Sequence, residues 1–355
     1  MNWRDVAEIK LRGPLVVTLG AEQKLMLLAP DGTFLAVSSQ SLALLKVLEV
    51  GCSGSELYRR AGLEDRNSPG AARLADFLST LQDYSFLGVA PDYERLGRRK
   101  RFNAIVGLDL FKRFPVPRAE RLSDIGRLFR GVPRWLVVAL SLLVVFGAVL
   151  TAATIAHPSQ PPSTLGLFTI ILVLLFQLVL HEVFHAIMMG YFGLKVKDAG
   201  VGLMFYVIPA GYVDRSSSVL LQSRVDRVLI SLAGPLWDMA FLMLIAVARG
   251  LVPSSWIPTL IWLQWFQVVV LVTNLNPFTR SDGSYALEAF LGLNNLRTRA
   301  FRLLFHDLSR RPAPSYLTNL ARAVRVGYYA YVAIVVAYIL FLGYLIMVMV
   351  LNVVS

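Results

Sequence analysis

Two of the chain's four histidines stand in one of its least polar stretches. "QLVLHEVFHAIMMG", residues 177–190, carries His181, Glu182 and His185 among leucines, valines and methionines. On a helix, positions four apart lie about 40° apart in rotation and one turn apart along the axis. Both imidazoles can then reach one metal ion, and Zn2+ takes imidazole nitrogen readily. Glu182, next to the first ligand, can take a proton from water and later hand it to a leaving amine. Five-residue patterns also arise by chance. The ordinary alternative is three polar groups near a helix end, satisfied by neighbours or water. The setting weighs against it, because ionisable groups within an apolar span are costly and functional by default. His157 and His306 lie in a loop and a basic segment, and both read as solvated.

A catalytic zinc site needs a third protein ligand and an open position for water. The acidic candidates near the next two apolar spans are Asp226, Asp238 and Asp282. Asp282 is the best placed, just past the fourth span and on the same side of the membrane as His185. Gly283 after it permits a tight turn and close backbone approach. Without the histidines, Asp282-Gly283 would be an ordinary exposed turn. Asn274, in "NLNPFTRSDG", adds a neutral hydrogen-bond donor. Asp238, mid-span in "AGPLWD", needs a partner in the membrane and suits a residue that supports a ligand. Asp214 in "GYVDRSS" reads as a turn residue or helix cap.

These residues need elements to hold them. Of 355 residues, 56% are hydrophobic and 16% charged, against about a quarter charged in soluble domains. The chain therefore reads as an α-helical polytopic membrane protein. Five spans are expected at about 135–156, 164–189, 227–248, 256–276 and 326–353, each near or above the roughly 20 residues that cross a bilayer. Whether 326–353 is one helix or two stays open. The loop 157–163 has no Lys or Arg, whereas 190–226 carries Lys195, Lys197, Arg215 and Arg224, and arginines recur from Arg280 to Arg325. Basic loops stay inside, so the N-terminus is expected in the cytoplasm and the C-terminus outside. The apolar, Gly/Pro-punctuated stretch 198–218 is expected to be a hairpin dipping into the protein interior, where irregular backbone is tolerated.

Residues 1–95 read as a small cytosolic α+β domain, three short strands then three helices, of winged-helix type. Asp31-Gly32 suggests a tight turn between its strands. Residues 96–134, with "RLGRRKRF" and "RFPVPRAERLSDIGRLFRGVPR", form a basic connector suited to an anionic membrane face. Residues 135–355 form the membrane domain. The net charge of +12 could suggest nucleic-acid binding. The basic residues cluster beside spans, however, and the first domain lacks a basic recognition helix, so no nucleic-acid partner is expected. One cysteine, Cys52, excludes an internal disulfide framework. The first thirty residues have no long apolar core of the kind a cleavable signal carries.

"HEVFH", "SLAGPLWD" and "NLNPFTRSDG", in that order over roughly 165–290, resemble the intramembrane site-2 zinc metalloproteases. The branch most similar is that of the peptide zinc metalloproteases of bacterial peptide-biosynthesis clusters. Its members also carry "YVD" after the apolar loop and "GxxNLR" later, here "GLNNLR" at 292–297. The resemblance implies His181, His185 and Asp282 as zinc ligands, Glu182 as base and Asn274 as a donor to substrate or oxyanion. The chain departs from the family in "RSDGSY" and at Asp238, where Asn is usual; the acid at 238 puts a neutral-donor role there in doubt. Residues 1 to about 85 more weakly resemble the PqqD-like module, which binds leader segments of ribosomally made peptides.

The expectation is a zinc endopeptidase in the bacterial cytoplasmic membrane, multi-pass, with the lipid bilayer and a peptide substrate as partners. The substrate class implied is a ribosomally made precursor recruited by the first domain. The alternative is a non-catalytic membrane protein for peptide binding, transport or immunity. Oligomeric state, substrate identity and cleavage site stay open.

Overall fold

Among the described residues up to 88, short apolar runs fold into strands and helices in the order their signals suggest. A computed structural model describes residues 2–20, 24–28, 34–65, 68–84, 86–88, 111–204, 208–293, 295–309 and 320–354. The expected Asp31-Gly32 turn and the "RLGRRKRF" run lie outside the described residues. The chain divides into two compact units, Met1–Ile105 with Val219–Gln222, and Val106–Ser218 with Ser223–Ser355.

In the first unit, β1 (Val16–Leu19), β2 (Leu25–Leu28) and β3 (Phe34–Val37) form an antiparallel meander in which Leu27 faces Val17 and Leu35. Three helices follow: α1 (Ser41–Val50), α2 (Gly54–Arg60) and α3 (Pro69–Asp83). Ser53 and Ser68 cap the last two by accepting N–H groups from Glu56 and Ala71, and Pro69 fills the first helical position of α3. Leu27, Leu45, Leu48, Leu57, Leu78 and Leu81 close the core. Trp3 joins it and donates its indole N–H to Ser79 Oγ at 3.0 Å.

The second unit holds the long helices. After β4 (Phe111–Pro115) and α4 (Glu120–Arg127) come α5 (Arg134–Ala153), α6 (Thr164–Tyr191), α7 (Arg224–Arg249) and α8 (Ile257–Asn274). Two shorter helices, α9 (Asp282–Leu291) and α10 (Leu296–Ser309), precede α11 (Arg322–Val354), which is one helix of 33 residues. Among the described residues, five helical segments are long and apolar enough to cross a membrane. α7 is the central one, packed against α5, α6, α8 and α9. Half of its most apolar window is buried, against 6% for α5, whose Leu142, Leu143, Phe146 and Val149 face outward. Large apolar side chains turned outward are at home against lipid.

The 198–218 stretch forms a hairpin, β5 (Ala199–Met204) paired antiparallel with β6 (Ile208–Val213). β4 adds to the other edge of β5, with Phe111 opposite Met204 and Pro115 opposite Gly200. The later part of the basic connector is thus built into the membrane unit as a strand, and α4 packs on α6. β4 supplies partners for the N–H and C=O groups along the side of β5 that β6 does not pair. "GLNNLR" is the corner between α9 and α10. Gly292 and Asn295 take left-handed backbone there, and the Glu288 carboxylate accepts the Asn295 and Leu296 N–H groups at 3.0 and 2.8 Å.

Candidate metal centre

α6 holds His181 and His185 one turn apart, with ring centroids 5.0 Å from each other. His181 is 5% exposed and His185 fully buried. α7 can pass this close because it carries glycine at the crossing. A Cβ on Gly234, in "SLAGPLWD", would lie 2.3 Å from His181 Nε2. Asp282 opens α9, where a capping box between Ser281 and Ser284 starts the helix. A carboxylate suits a helix N-terminus. Gly283 lets that turn close on the end of α8, since a Cβ there would lie 2.0 Å from the Leu275 carbonyl oxygen.

These elements bring His181, His185 and Asp282 together, with their ligand atoms within 4.8 Å of one another and all three residues buried. The Asp282 Oδ2 lies 2.8 Å from His181 Nε2 and 3.2 Å from His185 Nε2. Both rings have their other nitrogen committed. His181 Nδ1 faces Asp238 Oδ2 at 2.8 Å, and His185 Nδ1 faces the Ile230 carbonyl at 2.7 Å. Both partners are acceptors, so a proton on each Nδ1 would leave each Nε2 lone pair free for a cation. Two imidazole lone pairs and a carboxylate oxygen then converge in a buried site, an arrangement that calls for a cation between them. Two nitrogens and one oxygen fit zinc with a position left for water.

Asp238 belongs to a wider polar network. Its Oδ1 accepts from Gln177 Nε2 at 2.9 Å, and its Oδ2 also accepts from Asn274 Nδ2 at 3.2 Å. Gln177 in turn accepts the Trp237 indole N–H at 3.0 Å. A carboxylate that takes the second proton of a ligating histidine fixes its tautomer and ring orientation. Asn274, expected to meet substrate, thus has one amide N–H on Asp238, which ties the end of α8 to α7.

Glu182 lies on α6 against the hairpin, where a Cβ on Gly211 of β6 would come 2.5 Å from its Cγ. Arg215, which composition suggests only as an anchoring charge, reaches the centre instead. Its Nη1 donates to Asp282 Oδ1 at 2.6 Å and lies 3.2–3.3 Å from the His185 ring nitrogens. Burial opposes ionisation of Asp282, but the Arg215 guanidinium beside it outweighs that and helps hold the carboxyl well below the usual carboxylate range. Asp226 donates its backbone N–H to the Ser223 cap at the start of α7, and its carboxylate pairs with Arg134 at 2.8 Å, outside the cluster. Of the remaining histidines, His157 is exposed and stacks on Trp265, while His306 is half-buried rather than solvated; neither belongs to the cluster.

Residues 169–254, from within α6 to the loop after α7, match the model of Peptidase family M50. The chain is also 30% identical over 125 residues to YydH of Bacillus subtilis (strain 168), whose name proposes a peptide zinc metalloprotease. That alignment takes in 35% of this chain and 48% of YydH, so the chain spans about half the length of this curated relative. No solved structure matches the chain significantly.

Proposed function

We propose, from the M50 peptidase domain in its membrane unit, that this chain is a membrane-embedded zinc endopeptidase. The observation that carries the reading is the buried convergence of His181 Nε2, His185 Nε2 and Asp282 Oδ2 beside Glu182. Zinc held by those three groups would supply a Lewis acid that lowers the pKa of a water and polarises a carbonyl. Glu182 is the base that takes the water's proton and returns it to the leaving amine. Asn274 has a second amide N–H beyond the one on Asp238, and this serves as donor to the substrate carbonyl.

β6 is the edge of its described sheet and lies against Glu182. An extended peptide adding to that edge would expose its backbone carbonyls beside the base, as proteolysis requires and a helix would prevent. The substrate we favour is a ribosomally made precursor peptide, recruited by the PqqD-like 1–95 domain and cut near the cytoplasmic face of a bacterial inner membrane. In this reading 96–134 is the basic connector and the N-terminus is cytoplasmic.

The test uses the full chain in detergent micelles with a fluorogenic library of extended peptides. Glu182→Gln should keep zinc and lose activity by about 10²–10⁴-fold or more. Full cleavage by that variant would sink the mechanism.

A further inference from the structure

A cationic side chain outside the ligand set grips the centre, and its placement is costly unless it has a task there. Arg215 lies two residues past the end of β6, and its side chain is only 19% exposed. An anchoring arginine would turn its head group to water or lipid phosphate. This one turns inward. The Asp214 N–H donates to the Asp198 carbonyl at 2.7 Å, and the Ser216 N–H to Asp214 Oδ1 at 2.9 Å, so the backbone on both sides is fixed. The guanidinium carbon lies 5.1 Å from the centroid of the Tyr285 ring, one turn along α9 from Asp282. A single nitrogen, Nη1, sits 2.6 Å from Asp282 Oδ1.

We propose that Arg215 is a positioning residue of the metal centre: it claims Oδ1 of Asp282, leaving Oδ2 alone to face the two histidine Nε2 atoms, and so ties the β5–β6 hairpin to the metal ligand. The inference rests on the zinc reading given above. A free carboxylate can offer one oxygen or two to a metal. With Oδ1 held by a charge-assisted hydrogen bond, the one-oxygen mode is favoured. That mode leaves a coordination position open for water, which a catalytic zinc site needs.

Charge supports the same assignment. Glu182, Asp238 and Asp282 bring three carboxylates to the centre, and a divalent cation offsets two of them. The guanidinium supplies the remaining positive charge where unbalanced charge is expensive. Its electrostatic partners are Asp282 first, then Glu182. Because Arg215 lies only two residues past β6, one side chain links the strand edge proposed to bind substrate to the ligand proposed to bind metal.

The test compares wild type, R215Q and R215K as full chains in detergent, stripped of metal and loaded with Zn2+ or Co2+. Chelator competition should show zinc affinity about 10–100-fold lower for R215Q, the usual cost of losing a group that orients a ligand. In the Co2+ form the visible bands of R215Q should weaken toward those of higher coordination, as both Asp282 oxygens reach the metal. R215K keeps the charge but replaces a rigid fork with a point donor, so its affinity and spectrum should fall between the two. If R215Q does not fold, R215K carries the test, and its bands must still move. Identical affinity and spectra in wild type and the folded variants overturn the proposal while leaving the zinc reading standing. Wild type that takes up neither metal overturns both.

Discussion

The two units of this chain are built inside out with respect to each other. Among the described residues, the first buries leucines and a tryptophan, with Ser79 and Gln82 as buried polar residues, and turns its charges outward. The second buries Gln177, His181, His185, Asp238, Gln267 and Asp282, and exposes leucines, valines and phenylalanines along α5, α6 and α11. In water, burying apolar surface is the main drive to fold. In lipid it gives helices little reason to meet, and packing and interhelical hydrogen bonds must do so. The contacts of Asp238 with Gln177, His181 and Asn274 therefore serve twice. They orient His181, a proposed metal ligand, and they join α6, α7 and α8. A substitution in the first unit should move stability alone, whereas one in this network should move metal binding and helix association together.

The sharpest break of that comparison is His185→Ala, or Asp282→Ala. Either should bring bound zinc to background by elemental analysis and abolish cleavage, while the first unit keeps its unfolding transition. Unchanged zinc in both would remove the site assignment. Next is Leu78→Ala, at a fully buried position of the first unit's core. It should cost about 2–5 kcal/mol in the unfolding of that unit, with zinc content untouched. A loss of zinc on Leu78→Ala would mean that the two units do not act separately. Asp238→Asn comes third. It keeps an acceptor for His181 but removes the charge, and zinc affinity should fall about tenfold, roughly 1.4 kcal/mol. Chelator competition reads it, and an unchanged affinity would leave Asp238 a purely structural tie.

What could be read from the sequence divides along the same line. "HEVFH" stands out because polar residues in an apolar run are rare, and Asp282-Gly283 becomes visible once a third ligand is sought. The element order of the first unit is legible because short apolar runs and helical spacing are local signals. Arg215 is not legible. In a count of loop charges it looks like any other basic residue, and only the hairpin brings it to Asp282. Gln177 is hidden likewise, since its role depends on Asp238 from another helix. β4 is missed for a related reason. "FKRFP" carries two basic residues and a proline, poor strand signals, and it becomes a strand because β5 offers an edge to pair.

The smallest expected effect tests the inversion most directly, because it repeats one chemical change in the other setting. Leu142 on α5 is 64% exposed, whereas Leu78 is fully buried. If α5 faces lipid there, Leu142→Ala exchanges one apolar contact for another and leaves no cavity. It should shift stability by no more than about 0.5 kcal/mol, as for a surface position away from special features. Denaturant unfolding in mixed micelles, followed for both variants, makes the comparison. A Leu142→Ala cost as large as that of Leu78→Ala would mean that this face of α5 is packed against protein, which points to a second copy of the chain or a partner helix in the membrane.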